Sequence, residues 1–155
     1  MSLINKKQIY KKAYSLLSKR DYSVAVMRKK LFDFAHTDSS DDSCEIIIES
    51  IINDLKEKNW LSDERVVSTY LNSKGNLYGE ERIRFELKKI GIDHQVIEKI
   101  LQTFEFCDHE KAKIILSKKF KGQANSIKEK VKRRDYLMRR GFSCSISSKL
   151  ALRDN

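Results

Sequence analysis

LYGEERIRFELKKIGI, residues Leu77 to Ile92, is the stretch on which the fold turns. Gly79 can cap a helix start, Glu80 and Glu81 set negative charge against the positive end of its dipole, and Gly91 supplies the left-handed residue with which helices commonly end. The segment between them is a helix of about three turns. Ile83, Leu87 and Ile90 recur at i, i+4 and i+7, which is one apolar stripe on a 3.6-residue period. Going round the helix, Arg84 and Lys88 flank the stripe on one side, Arg82 and Lys89 on the other, and Phe85 falls nearly opposite. The stripe must face a core, so this is a basic helix with an aromatic residue on its outer side.

The same plan recurs along the chain. Leu87-Lys88-Lys89-Ile90-Gly91-Ile92 aligns with Leu137-Met138-Arg139-Arg140-Gly141-Phe142, and the register then pairs Val96 with Ile146 and Ile100 with Leu150. A weaker copy begins near Tyr10, where a Leu-rich helix, a Ser23 cap and a second helix bearing Arg28, Lys29 and Lys30 follow one another. Repetition at roughly 45 to 50 residues points to stacked helical units.

Composition supports an all-helical reading. Proline is absent and glycine numbers five, so little interrupts helices. Charged residues reach 35% against 40% hydrophobic, enough for modest cores and better suited to an elongated array than to a sphere. The expected architecture is therefore all-α, an elongated tandem array of three three-helix repeats over residues 1–61, 62–107 and 108–155. In the first unit, helices over Lys6 to Lys19 and from Ser23 to Ala35 precede the polar loop His36 to Ser43, where Asp42 or Ser43 caps an isoleucine-rich third helix. In the second, Ser62 and Asp93 cap the helices on either side of the central one. In the third, Ser126 and Glu129 form a capping box ahead of a long basic helix that Gly141 closes, and Gly122 ends the basic run Lys118 to Lys121.

Charge is distributed unevenly. Residues 109–155 hold fourteen basic and four acidic residues, a surplus that equals the whole net charge of +10. A third unit this cationic suits a polyanionic surface, and its attraction should be screened by salt. The plainer alternative is a solvated face serving solubility.

Several function classes are disfavoured. The glycines are isolated, so no phosphate-binding loop is present. His36, His94 and His109 show no ligand spacing, and the acidic pairs Asp41-Asp42 and Glu80-Glu81 are accounted for by helix starts. Catalysis, a metal and a cofactor are not expected. Cys44, Cys107 and Cys144 are odd in number and far apart, which suits reduced thiols in a cytoplasmic protein. No apolar run is long enough for a membrane span and the start lacks a signal peptide's apolar centre.

These residues resemble the RecX family of bacterial recombination regulators. LYGEERIRFELKKIGI is similar to the family's central signature, WLSDERVVSTYL (Trp60 to Leu71) to the segment joining units one and two, and RDYLMRRGFSCSISSKL (Arg134 to Leu150) to the third-unit signature. LLSKRDYS, Leu16 to Ser23, also fits, so the resemblance covers almost the whole chain. Departures are local: Val24-Ala25-Val26-Met27 stand where the family usually has an acidic residue and leucine, Val66 where it often has phenylalanine, and Ile90 where it often has lysine. The resemblance implies a non-enzymatic, monomeric modulator that lies in the groove of the RecA recombinase filament on single-stranded DNA and obstructs its growth, ATP hydrolysis and strand exchange.

On that reading the candidate filament or DNA contacts are Arg28, Lys29 and Lys30, then Arg82, Arg84, Lys88 and Lys89, then Lys132, Arg133, Arg134, Arg139 and Arg140. Phe85 is either a further contact or packed against a neighbouring unit. Two other readings compete. Three-helix units with a basic helix also describe helix-turn-helix proteins that bind nucleic acid without a recombinase. A basic amphipathic helix over Ile127 to Arg140 could lie on a membrane surface, although the repeat alignment assigns Leu137 and Met138 to the core.

Overall fold

The structure, a computed structural model, describes residues 6–35 and 42–152. Among them are nine α-helices and no strand: α1 (Lys6–Leu17), α2 (Val24–Ala35), α3 (Asp42–Glu57), α4 (Asp63–Lys74), α5 (Glu80–Lys89), α6 (His94–Leu101), α7 (Asp108–Lys119), α8 (Ile127–Arg139) and α9 (Cys144–Leu152). The all-α, three-repeat architecture is the expected one. The loop from His36 lies largely outside the described residues. Asp42 and Ser43 are already inside α3, so neither is its cap, and the capping residue also lies outside them.

Buried apolar residues form three separate clusters. The first joins Ile9 and Ala13 of α1 to Met27 and Leu31 of α2 and to Ile48, Ile51, Ile52 and Leu55 of α3. The second gathers Val67, Leu71, Ile83, Leu87, Ile92, Ile97 and Leu101. The third is smaller, with Ala112, Ile115, Leu116, Leu137 and Phe142. The repeat alignment explains the difference. Leu87 and Leu137 are buried alike, as are Ile92 and Phe142, but the positions of Ile97 and Leu101 are occupied in unit three by Ser147 and Ala151. Losing those two large side chains removes apolar burial on the order of 3–6 kcal/mol. Ser147, buried, donates its hydroxyl to the Phe142 carbonyl at 3.4 Å.

Met138 departs from the expectation. It aligns with Lys88 and is 43% exposed, because one residue beyond Leu137 the helix has turned about 100° away from the core. Leu137 alone serves as the core residue of that pair.

Helix starts follow the sequence closely. Ser62 Oγ accepts from Arg65 N at 3.3 Å, Asp93 Oδ1 from Gln95 N at 2.8 Å, and Ser126 Oγ from Glu129 N at 3.2 Å. Glu129 completes the box one residue early, on Asn125 N. Gly79 precedes α5 with extended backbone and no side-chain cap of its own.

The two joints between units repeat one hydrogen-bonding scheme. At the first, Asp63 of α4 accepts from Val24 N at 2.8 Å, so the N-terminus of α2 is capped by a side chain from the next unit. At the second, Asp108 of α7 accepts in the same way from Glu80 N at 3.2 Å. Ser23 Oγ donates to the Ile90 carbonyl at 2.5 Å, and the equivalent Gly79 N donates to the Arg140 carbonyl at 2.9 Å. Gly91 (φ +76°) and Gly141 (φ +84°) sit at these contacts. A Cβ on Gly91 would fall 2.5 Å from Ala25 Cβ, and one on Gly141 would collide with the backbone of Arg82. Both joints thus demand glycine for its positive φ and its lack of bulk.

Candidate nucleic-acid interface

The structure divides the sequence-selected cations into those engaged within the fold and those left to solvent. Arg28 on α2 pairs with Glu49 on α3, with Nη2 donating to Oε2 at 3.1 Å. Lys30 lies over the Tyr22 ring at 5.7 Å, while Lys29 is exposed and unpaired among the described residues. On α5, Arg84 is held at 2.8 Å by both Glu80 and Glu98. Hydrogen bonding to Glu98 raises the Arg84 pKa above its ordinary value, and the same bond holds the Glu98 carboxyl below its own. Arg82 pairs with Glu86 at 2.6 Å. Lys88 and Lys89 end α5 exposed, and Phe85, 59% exposed, is a surface residue rather than one packed on a neighbouring unit.

In unit three the division is sharper. Arg140 braces the second joint: Nη1 donates to the Leu77 carbonyl at 3.2 Å, and the guanidinium lies 5.5 Å over Tyr78 and 5.3 Å over Tyr136. Arg134 is paired with Asp135 at 2.9 Å. Arg139 is exposed and unpaired among the described residues.

Arg133 organises a cleft of about 340 Å³ between the end of α7 and the start of α8. Its Nη2 donates to the Gly122 carbonyl at 3.0 Å and its guanidinium lies 5.3 Å over Phe120, which meets Tyr136 edge-on. Its Nε is buried with no partner among the described residues. Gly122, with φ +71°, lets the loop turn back beneath the guanidinium. Lys119, Lys121 and Lys132 line the same cleft and are exposed and unpaired among the described residues. Glu129, the acidic residue lining it, is directed to Asn125 N at 2.8 Å. Three free ammonium groups around a fixed guanidinium form a concave cationic surface that can take phosphate or carboxylate oxygens.

Lys119 and Lys121 were not among the candidates. In sequence they belong to a basic run closing a helix, and only the turn at Gly122 sets them beside Lys132. The run itself was the available signal.

A family model described as RecX, third three-helix domain, matches residues 107–149, which contain the cleft. The Regulatory protein RecX of Serratia proteamaculans (strain 568) is 34% identical over 148 residues, covering 84% of this chain and 88% of that protein. The chain belongs to the RecX family. The Regulatory protein RecX of Neisseria gonorrhoeae (strain NCCP11945) is 31% identical over 136 residues, 88% of this chain and 84% of that one. Among solved structures, a crystal structure of RecX from Lactobacillus salivarius superposes with a TM-score of 0.73 at 22% identity, covering 94% of this chain and 93% of that one. Another crystal structure of regulatory protein RecX gives the same TM-score and covers 96% of this chain. The RecX fold therefore extends through the described helices. Among the described residues, no helix is long and apolar enough to cross a membrane.

Proposed function

We propose that this chain is a non-enzymatic, cytoplasmic regulator that binds the RecA filament on single-stranded DNA as a monomer, lies in the filament groove, and inhibits filament extension, ATP hydrolysis and strand exchange. Family membership supports a regulatory role in RecA-dependent recombination. The observation that carries the groove reading is the surplus of unpaired cations in unit three, above all around the cleft of Lys119, Lys121, Lys132 and Arg133. Cations committed to internal pairs have their fields largely cancelled, whereas free ones on a rigid frame can follow phosphates or acidic protein surfaces. Arg139 adds to the free set within unit three, and Lys29, Lys88 and Lys89 extend it along the other units. Arg28, Arg84 and Arg140 serve first to hold helices or joints, Arg82 and Arg134 are paired within their own helices, and contacts made by these five would be secondary. Three linked units also allow weak contacts on adjacent protomers to add through effective concentration.

The test is RecA ATPase on single-stranded DNA titrated with this protein. Inhibition is expected to rise with added protein and to weaken on charge reversal at Lys119, Lys121 and Lys132. Unaltered ATPase at saturation would overturn the reading. Equal affinity for bare and RecA-coated DNA across several salt concentrations would instead favour nucleic-acid binding without a recombinase.

A further inference from the structure

Unit one carries an aromatic surface that stays half open to water. Tyr10 and Tyr14 stack along α1 with centroids 5.8 Å apart and planes 30° apart, and Trp60 meets Tyr14 edge-on at 5.3 Å. Trp60 is 49% exposed and Tyr14 39%. Of the large exposed hydrophobic side chains among the described residues, these two make a ring contact with each other. Isolated exposed aromatics are ordinary, but a contiguous pair that remains open to water is the kind of surface that engages a partner.

The presentation is rigid. Trp60 follows Asn59, which holds a left-handed backbone with φ +56°. Arg65 fixes that turn, donating to the Asn59 carbonyl at 2.9 Å, to the Trp60 carbonyl at 2.8 Å and to Asp21 at 2.8 Å. Trp60 N and Leu61 N both donate to the Leu55 carbonyl, so the turn is also tied to α3. The indole is thus held in place on a stapled connection and its ring is left out of the core.

The surroundings are cationic. Helix α1 carries Lys6, Lys7, Lys11 and Lys12 and no acidic residue; Lys6 donates to Ser50 and Lys12 lies over the Phe34 ring, while Lys11, next to Tyr10, is exposed. Lys58 Nζ lies 6.0 Å over the Trp60 ring. The nearby Asp54 is already engaged, accepting from Tyr10 at 2.9 Å and from Lys58 at 2.8 Å. Flat rings bordered by ammonium groups match a chain of flat bases joined by phosphates. We propose that Tyr14 and Trp60 are a stacking platform for the bases of a single-stranded nucleic acid, with Lys11 meeting its phosphates. This goes beyond groove occupancy, since it puts direct base contact on unit one and needs no recombinase.

Trp60 is the only tryptophan, so the full-length protein reports on its own platform. Titrating it with oligothymidylate at low salt should quench Trp60 fluorescence. By anisotropy of a labelled strand, Trp60→Ala and Tyr14→Ala should each weaken oligothymidylate binding by about 5- to 150-fold, the range expected for losing one stacked base. Trp60→Phe, which keeps a ring, should recover most of it. An abasic strand of equal length should bind the native protein and Trp60→Ala equally, because phosphates alone remain. Undiminished fluorescence at saturating oligothymidylate would overturn the proposal without any variant having to fold. So would equal loss on both strands, and so would an emission change with protein concentration alone accompanied by dimers in sedimentation, which would assign the surface to a second copy. None of these failures bears on RecA ATPase inhibition, so the two readings fall separately.

Discussion

Replacing Gly141 by alanine should cost far more than the same change at Gly122, although both glycines have positive φ, +84° and +71°. A Cβ in the left-handed region costs roughly 1–2 kcal/mol at either position. Part of this, about 0.4–1 kcal/mol, is offset because alanine restricts the unfolded chain. At Gly122 nothing lies within 4 Å of the added Cβ, so the net cost should be about 0–1.5 kcal/mol. At Gly141 the Cβ meets the Arg82 backbone nitrogen and Cβ, so α5 must move away from the third unit. Overpacking of that kind costs about 1–3 kcal/mol, and displacing the Gly79 N to Arg140 carbonyl bond adds roughly 0.5–1.5 kcal/mol. The expected destabilisation is therefore about 1.5–6 kcal/mol, with the excess over Gly122→Ala located in the joint. Urea unfolding followed by circular dichroism, with the slope compared between variants, measures both. If the two variants agree within about 0.5 kcal/mol, the close approach of units two and three is not a feature of the folded protein and the joint scheme is wrong.

Acid should weaken unit two through Glu98. Its folded pKa lies below the ordinary value of 4.5 because of the Arg84 hydrogen bond, so the unfolded chain binds the proton more readily. The stabilisation is present at neutral pH and is lost as pH falls through the folded pKa, and Glu98→Gln should flatten that part of the urea midpoint against pH. Met138→Lys should leave stability within about 0.5 kcal/mol of the native protein by thermal unfolding, since the position is a surface site equivalent to Lys88. Leu137→Ala, one residue earlier, should cost about 2–5 kcal/mol, and a smaller loss would mean that the third core is not closed around it. Reversing charge at Lys119, Lys121 and Lys132 should lower the salt dependence of nucleic-acid binding, whereas Arg84→Ala should leave the salt slope unchanged; an unaltered slope in the triple variant would remove the cleft from the interface.

The local elements were readable because their causes are local. A serine or aspartate at a helix start, a glycine at its end and an apolar residue every third or fourth position act within one or two turns, and so α4, α5, α6 and α8 have their expected caps, and α4, α5 and α6 their expected faces. The repeat alignment carried the same information between units, pairing Leu87 with Leu137 and Gly91 with Gly141. The assignment of Met138 to the core failed, because the helical phase that buries Leu137 turns the next residue outward, as it does Lys88.

What the amino-acid order alone determined is the helical class, the threefold plan, the location of the positive charge and the resemblance to the RecX family. The tertiary structure decided which charges are available. Asp63 and Asp108 look in sequence like ordinary residues of their own first turns, yet each caps a helix of the preceding unit. Arg84 and Arg140 look like the same open basic surface as Lys132, yet the first is enclosed by two carboxylates and the second is stacked into a joint. Side-chain pairing across helices depends on distances between segments tens of residues apart, and a linear pattern does not encode those distances until the chain has packed.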